Sequence, residues 1–527
     1  MTMKTTPLVA LTVSTLLCGT VALSGAPGQR APVLRDERSP SEPGPASAGA
    51  NHRTAMPASP EPLDDVRGAA TPVVAEGSAA DEMPSPWSDD RRLTAHPALS
   101  QTSINFVRGL AAGRRGRLHL VWEDKRDGVS QVYYLRSDRS GHHWEEPLRL
   151  SLGGLPNRQP AVAAEGSQVH VVWHEELGGG ASRVLYRRSL DRGQSWLPPQ
   201  EFSHSVPAAH ASVASHGSRV HVTWTAVENG YNEVFTRRSG DGGGSWEAPL
   251  RVSSGPYPSW VPSVTVEGEL VLVAWVDYRD ANEEEYLRIS RDGGSSWDDI
   301  QRLTVEPADS WAPTVTSAGG LVHIAWFDRR AAGVSDADVE SAVNDALNLV
   351  GVPTQPPPPR DPAVYYLPEY MERLSQKKLQ LQMAAPPWVA AGGDVEELER
   401  RIERFESLEF QWTTGWEIYT RRSPDAGRTW EPTRRQSFAP MPSQRPTILA
   451  DGNRLHMVWF DSRDGNEELY YRQSLDGGQS WLPEERLTVA PGASAHPMLA
   501  LTATSLYVAW YDERDGNSEI YIKHRPR

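Results

Sequence analysis

Cysteine is all but missing from this chain: among 527 residues there is one, Cys18. That excludes a disulfide framework as the source of stability. Long apolar runs are missing too. The sustained one, from Pro7 to Leu23, falls short of the ~20 residues that a membrane-spanning helix needs. Positive charge is in deficit, with 53 Lys+Arg against 68 Asp+Glu and a net charge of −15. No basic cluster stands out, which argues against nucleic acid or an anionic membrane surface as the partner. What the chain has in quantity is tryptophan, 19 in all, and its spacing organises everything that follows.

Residues 1–24 place Lys4 ahead of that apolar run and end on Ala22-Leu23-Ser24, the pattern of a secretory signal. The expectation is an exported protein, periplasmic, cell-surface or secreted. A lipid anchor at Cys18 is disfavoured, because Leu16 and Leu17 stand where small residues belong. Residues 25–85 are rich in Pro, Ala, Gly, Ser and Glu without periodicity and read as a disordered linker.

From there the chain repeats. A strand-ending Trp recurs at Trp122, Trp173, Trp224, Trp275, Trp326, Trp459 and Trp510, with a constant spacing of 51 residues except for one gap of 133. The long gap exceeds the period by 82 residues, so seven copies carry one insertion, in the fifth. Each copy holds four runs rich in Val, Tyr and Trp between Gly, Asp and Ser turns, as in Pro160–Gly166, Gln168–Glu175 and Arg183–Ser189 of the second. Four antiparallel strands repeated at this period predict an all-β, seven-bladed β-propeller over residues 86–527. A blade alone cannot bury both faces, whereas a blade between two neighbours can.

The third and fourth runs are joined by Ser-x-Asp-x-Gly-x-x-Trp. The motif is complete at Ser189/Asp191/Gly193/Trp196, Ser239/Asp241/Gly243/Trp246, Ser290/Asp292/Gly294/Trp297, Ser423/Asp425/Gly427/Trp430 and Ser474/Asp476/Gly478/Trp481; Arg139 replaces the Asp in a sixth copy. Its chemistry is that of a turn: a carboxylate accepting backbone N–H groups, and a Gly free to take φ > 0. Asp191, Asp241, Asp292, Asp425 and Asp476 are therefore read as structural. On these motifs the chain resembles the Asp-box (BNR) repeat family, whose best-known members are the sialidases. The resemblance covers residues 87–527 apart from the insertion. It implies the propeller fold and leaves the reaction open.

The N-terminal segment WSDDRRLT from Trp87 reads like the fourth strand of a blade, as in WLPEERLT after Trp481, while the seventh copy ends after its third strand. Arg91 to Thr94 are expected to close the ring, which removes a free sheet edge. The insertion, residues 331–414, is expected to be helical over Ala337–Val350 and Pro368–Ala385. A proline spacer from Pro353 separates these helices. A further helix should start at Asp394, with Val395, Leu398, Ile402 and Phe405 on one stripe.

Three groups of residues point to the face opposite the Asp-box turns. The loops after the strand-ending Trp repeat Asp-x-Arg-Asp, as Asp124/Arg126/Asp127, Asp277/Arg279/Asp280, Asp461/Arg463/Asp464 and Asp512/Arg514/Asp515, with a Glu often opening the next strand. They read mainly as turn and cross-strand chemistry, with calcium as the competing assignment; interleaved Arg disfavours a metal, and no cofactor is expected. Fourteen residues before each Trp stand Arg108, Gln159, His210, Val261, Ala312, Arg445 and His496 around the mouth of the axial channel. These vary from blade to blade, and Arg108 and Arg445 suit a carboxylate. Beside them lie Tyr257, Trp260 and Trp311, flat faces for a sugar ring or for blade packing. The candidate ligand-binding set is thus Arg108, His210, Tyr257, Trp260, Trp311, Arg445 and His496.

The resemblance to sialidases implies an arginine clamp, a Tyr nucleophile with a Glu partner, and an Asp acid/base. The Arg-Ile-Pro opening of that family is absent here, and no Tyr–Glu pair is assignable from the sequence. The leading expectation is an exported monomeric propeller that binds a glycan or protein ligand at its axial face. A sialidase-like glycoside hydrolase and a structural cell-envelope module are the alternatives.

Overall fold

The structure, a computed structural model, describes residues 86–103, 108–113, 116–139, 141–203, 206–280, 282–306, 308–354 and 366–527. The expected signal segment with Cys18, the linker 25–85 and most of the proline spacer lie outside the described residues.

Pro86–Arg527 forms one unit of seven antiparallel sheets. In the second blade the strands Asn157–Glu165, Gln168–Gly178, Ala181–Ser189 and Gln200–Glu201 lie side by side in chain order. The first strand of each blade touches those of its two neighbours, and the contacts close into a ring around an axis. Side chains of the second strand alternate between two interfaces. Val169, Val171 and Trp173 pack on Val121 and Tyr134 of the first blade, and Val172 packs with Trp224 of the third. Both faces are covered, so this strand reads as an almost unbroken apolar run. All seven repeat tryptophans are fully buried.

The Asp-box turns behave as expected. In the second blade the Ser189 hydroxyl accepts from the Gly193 N–H at 2.8 Å, and Asp191 accepts from the Ser195 N–H and hydroxyl at 2.8 and 2.5 Å. Gly193 has φ +79° and lies against the Tyr134 hydroxyl, so a side chain there meets both strain and a clash. The box Trp reaches the preceding blade: Trp196 stands edge-on to Tyr134 at 4.9 Å.

In five blades the outer strand is held by a Glu at the start of the third strand, Glu233, Glu284, Glu417, Glu468 and Glu519; Gln131 takes this place in the first. Glu468 accepts from the Thr488 hydroxyl, from Arg486 at 3.1 Å and from the Ala490 N–H at 2.8 Å. In the seventh blade Glu519 holds Thr94, Arg92 at 2.8 Å and the His96 N–H at 2.9 Å. All three partners come from the other end of the chain, and Arg91–Arg92 pairs antiparallel with Glu519–Pro526. Trp87 completes the mimicry, edge-on to Tyr471 at 5.1 Å, as box tryptophans do elsewhere. The N-terminal strand closes the ring.

Between Leu321–Asp328 and Glu417–Ser423 the fifth blade carries three helices: α1 (Asp336–Leu349), α2 (Tyr366–Ala390) and α3 (Val395–Thr414). Their core is their own, built from Val343, Leu347, Tyr370, Leu374, Leu398, Phe405 and Trp412. Asp394 caps α3 as expected, accepting from the Glu397 N–H at 3.1 Å. Two expectations need correcting. Val395 is 42% exposed, because the apolar stripe begins one turn later, at Leu398. Helix α2 does not stop at Ala385 but continues through Pro386 and Pro387, whose missing N–H groups fall near its C-terminal end.

Candidate functional site

The mouth of the channel is built on a repeated backbone irregularity. In six blades the pairing of the first two strands slips by one residue, and the extra residue has positive φ: Gln159 55°, His210 57°, Val261 53°, Ala312 64°, Arg445 54° and His496 51°. These are β-bulges with the left-handed residue first. None is glycine, and Val261 is β-branched, so each carries strain of about 1–3 kcal/mol. The residues singled out by spacing are thus the bulge residues. Arg108 differs. In the first blade Arg108 stands between the paired segments Ser100–Gln101 and Leu110–Ala112, with no bulge of this kind described there.

Three neighbourhoods surround the mouth. Across the sixth and seventh blades Arg445 lies in the electrostatic reach of Tyr511 and Glu467, and burial lowers its pKa to about 10 despite both. Burial likewise raises the Glu467 carboxyl, opposed by Arg445 and reinforced by Glu513. Tyr511 is raised by burial, then by Glu467 and Glu513. The His496 ring stands at right angles to Tyr511 at 5.1 Å. Burial, followed by Arg445, holds its pKa well below the ordinary value, so it is neutral at physiological pH. Four of these five groups are half-buried and Glu513 is exposed, so the cluster is open to a ligand.

Across the first three blades Glu123 accepts from the Gln159 N–H at 2.7 Å and from Ser130 at 3.0 Å, and Arg158 holds Glu176 at 2.5 Å. His174 and His210 sit within reach of one another, and burial depresses them to about 3 and about 4.

The fourth and fifth blades are aromatic. Trp260 is buried against Val261, Val276 and Tyr278, so packing accounts for it. Tyr257 and Trp311 are half-buried and present part of their rings. Next to them Arg329 pairs with buried Asp309 and is sandwiched between Trp412 of α3 at 4.1 Å and Trp416 at 4.7 Å. This contact fastens the helical insertion beside the mouth.

The Asp-x-Arg-Asp loops are structural in detail. Asp124 accepts from Trp122 Nε1 at 2.9 Å and from Arg126 Nε at 2.8 Å, while Arg126 stacks on Tyr133 at 4.5 Å and Tyr133 donates to Asp127 at 2.7 Å. The same set recurs at Asp277/Arg279/Tyr286 and Asp512/Arg514/Tyr521. These carboxylates are engaged by Trp and Arg, and no group of three metal-ligating side chains suited to an ion occurs among the described residues.

A family model described as a BNR repeat-like domain matches residues 69–324. Residues 69–324 thus carry a BNR repeat-like domain, in agreement with the Asp-box motifs. No curated protein matches it. Among solved structures the BNR propeller is similar to an ulvan lyase, a polysaccharide lyase, at 10% identity over 82% of this chain and 95% of that one, with a TM-score of 0.49. It is similar to the Trypanosoma rangeli sialidase at 10% identity over 72% and 56%, TM-score 0.40. It is also similar to the endosialidase of phage phi92 at 9% identity over 83% and 69%, TM-score 0.42. No helix among the described residues is long and apolar enough to cross a membrane.

Sequence reasoning missed Tyr511, Glu467, Glu123 and His174. One signal was available. The residue after each repeat Trp runs Glu123, His174, Thr225, Val276, Phe327, Phe460 and Tyr511, as variable as the bulge positions facing it. Of the expected set, Arg445 and His496 come together, and Tyr257 and Trp311 lie on neighbouring blades. His210 belongs to the neighbourhood around Glu123. Arg108 donates to the Val315 carbonyl inside the channel.

Proposed function

We propose that this exported BNR propeller binds a glycan at its axial mouth, the ligand lying from Trp311 and Tyr257 to the cluster around Arg445. The carrying observation is that half-exposed aromatic faces and a half-buried set of Arg445, Glu467, His496 and Tyr511 share one mouth. Sugars ask for this combination, a flat apolar face beside convergent polar groups. Net charge −15 and the absence of a basic patch support a carbohydrate over nucleic acid.

One observation favours hydrolysis as a second reading. Tyr511 stands in the electrostatic reach of two carboxylates, Glu467 and Glu513, and of Arg445. A phenol beside a carboxylate that withdraws its proton is an arrangement for nucleophilic attack on an anomeric carbon. The test is a panel of sialosides and polysaccharides, read in parallel for binding and for released sugar. Binding without release supports the binding module. Release that disappears in Tyr511→Phe and Glu467→Gln supports the hydrolase. Neither binding nor release would overturn the glycan reading.

A further inference from the structure

Arg108 poses a problem that the glycan site does not absorb. Its guanidinium lies inside the axial channel, and among the described residues its one hydrogen bond is from Nη2 to the Val315 carbonyl at 3.1 Å. Among the described residues no carboxylate pairs with it, and burial lowers its pKa. A guanidinium does not shed its proton in a protein, so a full positive charge stays in the channel. Arg108 is half-buried, and a charge held largely away from bulk water is ordinarily paired, because an unpaired one forfeits hydration without return.

The wall opposite is unusual. Two residues beyond each bulge position the seven inner strands carry Leu110, Ala161, Ser212, Ser263, Thr314, Thr447 and Met498. The hydroxyls are confined to four consecutive blades, the side towards which Arg108 reaches. With Arg108 they line a small cavity of about 10 Å³, room for one small sphere. Their protons are not equally free. Thr447 donates to the Pro497 carbonyl at 2.9 Å. Ser263 accepts from the Val315 N–H at 3.4 Å, which leaves its own proton to give. Thr314 Oγ1 is buried with no partner among the described residues, in a residue 5% exposed. A cation and hydroxyl donors converging on one small cavity make a site for negative charge.

We infer that the axial channel holds a single small monovalent anion of halide size, bound by the Arg108 guanidinium and by the hydroxyls of Ser263 and Thr314, with Ser212 on the same wall. The anion completes the ring from inside, tying the first blade to the fourth and fifth. The cavity is small and its lining shares none of the cluster around Arg445 and Tyr511, so this site is separate from the mouth.

The experiment uses the full chain. Its thermal midpoint is followed as sodium chloride replaces sodium gluconate at constant ionic strength. The expected result is a saturable rise of about 2 °C that bromide reproduces and sulfate does not. The rise disappears in Arg108→Gln. Should that variant fail to fold, Thr314→Val combined with Ser263→Ala is expected to shift the half-saturation at least tenfold. In crystals grown in bromide, anomalous scattering is expected between Arg108 and Thr314. A midpoint indifferent to halide in the wild type, or bromide found only elsewhere, overturns the inference and leaves the cavity to water.

Discussion

Glu285 is the residue that fits its surroundings least. It faces the fifth blade from a strand position that holds Val132, Val184, Val234, Ile418, Leu469 and Ile520 in the other six. It is fully buried and neither carboxylate oxygen has a partner among the described residues. Burial first, then Glu284 and Asp328, raises its pKa well above the ordinary value. The sign follows. The unfolded chain releases the proton above about pH 4.3 and the folded one holds it, so Glu285 erodes stability as pH rises from there. Glu285→Leu is expected to stabilise the protein by about 1–3 kcal/mol at pH 7, with a smaller gain at pH 4, measured by chemical denaturation at both values. The Asp-boxes act in the opposite sense. Asp292, Asp425 and Asp476 are held at about 2, first by the hydroxyls of Ser296, Thr429 and Ser480 and then by the N–H groups of the same residues. Their support is present above about pH 4 and is lost as pH falls towards 2. Asp425→Ala is expected to lower the midpoint at pH 7 and to leave the pH 2 midpoint nearly unchanged.

At the scale of the element, the closing strand and the insertion make separate demands. Glu519 is fully buried and depends on Thr94, Arg92 and the His96 N–H, all from the N-terminal segment. Thr94→Val leaves a buried carboxylate short of a donor and is expected to cost about 1–3 kcal/mol. Hydrogen exchange should rise first in Glu519–Pro526 if the ring opens at this seam. The closing strand was legible because WSDDRRLT reproduces a local sequence found elsewhere in the chain. The insertion was legible only as helices. That Trp412 and Trp416 would clamp Arg329 follows from packing between segments more than 80 residues apart in sequence, which no local pattern encodes. Trp412→Ala is expected to raise exchange in α1, α2 and α3 while the strands of the ring keep their protection, since the helices carry their own core. Equal loss in the strands would show that the insertion props up the ring.

At the scale of the whole molecule, the repeat did two things. It made the fold readable, because one tryptophan per 51 residues counts the blades. It also hid the site, because a mouth assembled from seven blades juxtaposes residues about one period apart. Tyr511 meets Glu467 and Arg445 only once the sixth and seventh blades pack side by side, and the positive φ of the bulges leaves no mark in residue type when the residue is Val261 or His210. The two ends of the channel are built differently: Asp-box turns hold one face together, and the mouth is the proposed glycan site. The most direct test is the equilibrium affinity of a bound glycan for the wild type, Trp311→Ala, Arg445→Ala and, on the opposite face, Arg454→Ala. The mouth variants are expected to weaken binding about 10- to 100-fold, the equivalent of about 1.4–2.8 kcal/mol, and Arg454→Ala to leave it unchanged. Affinity that survives both mouth changes and falls with Arg454→Ala would contradict the account.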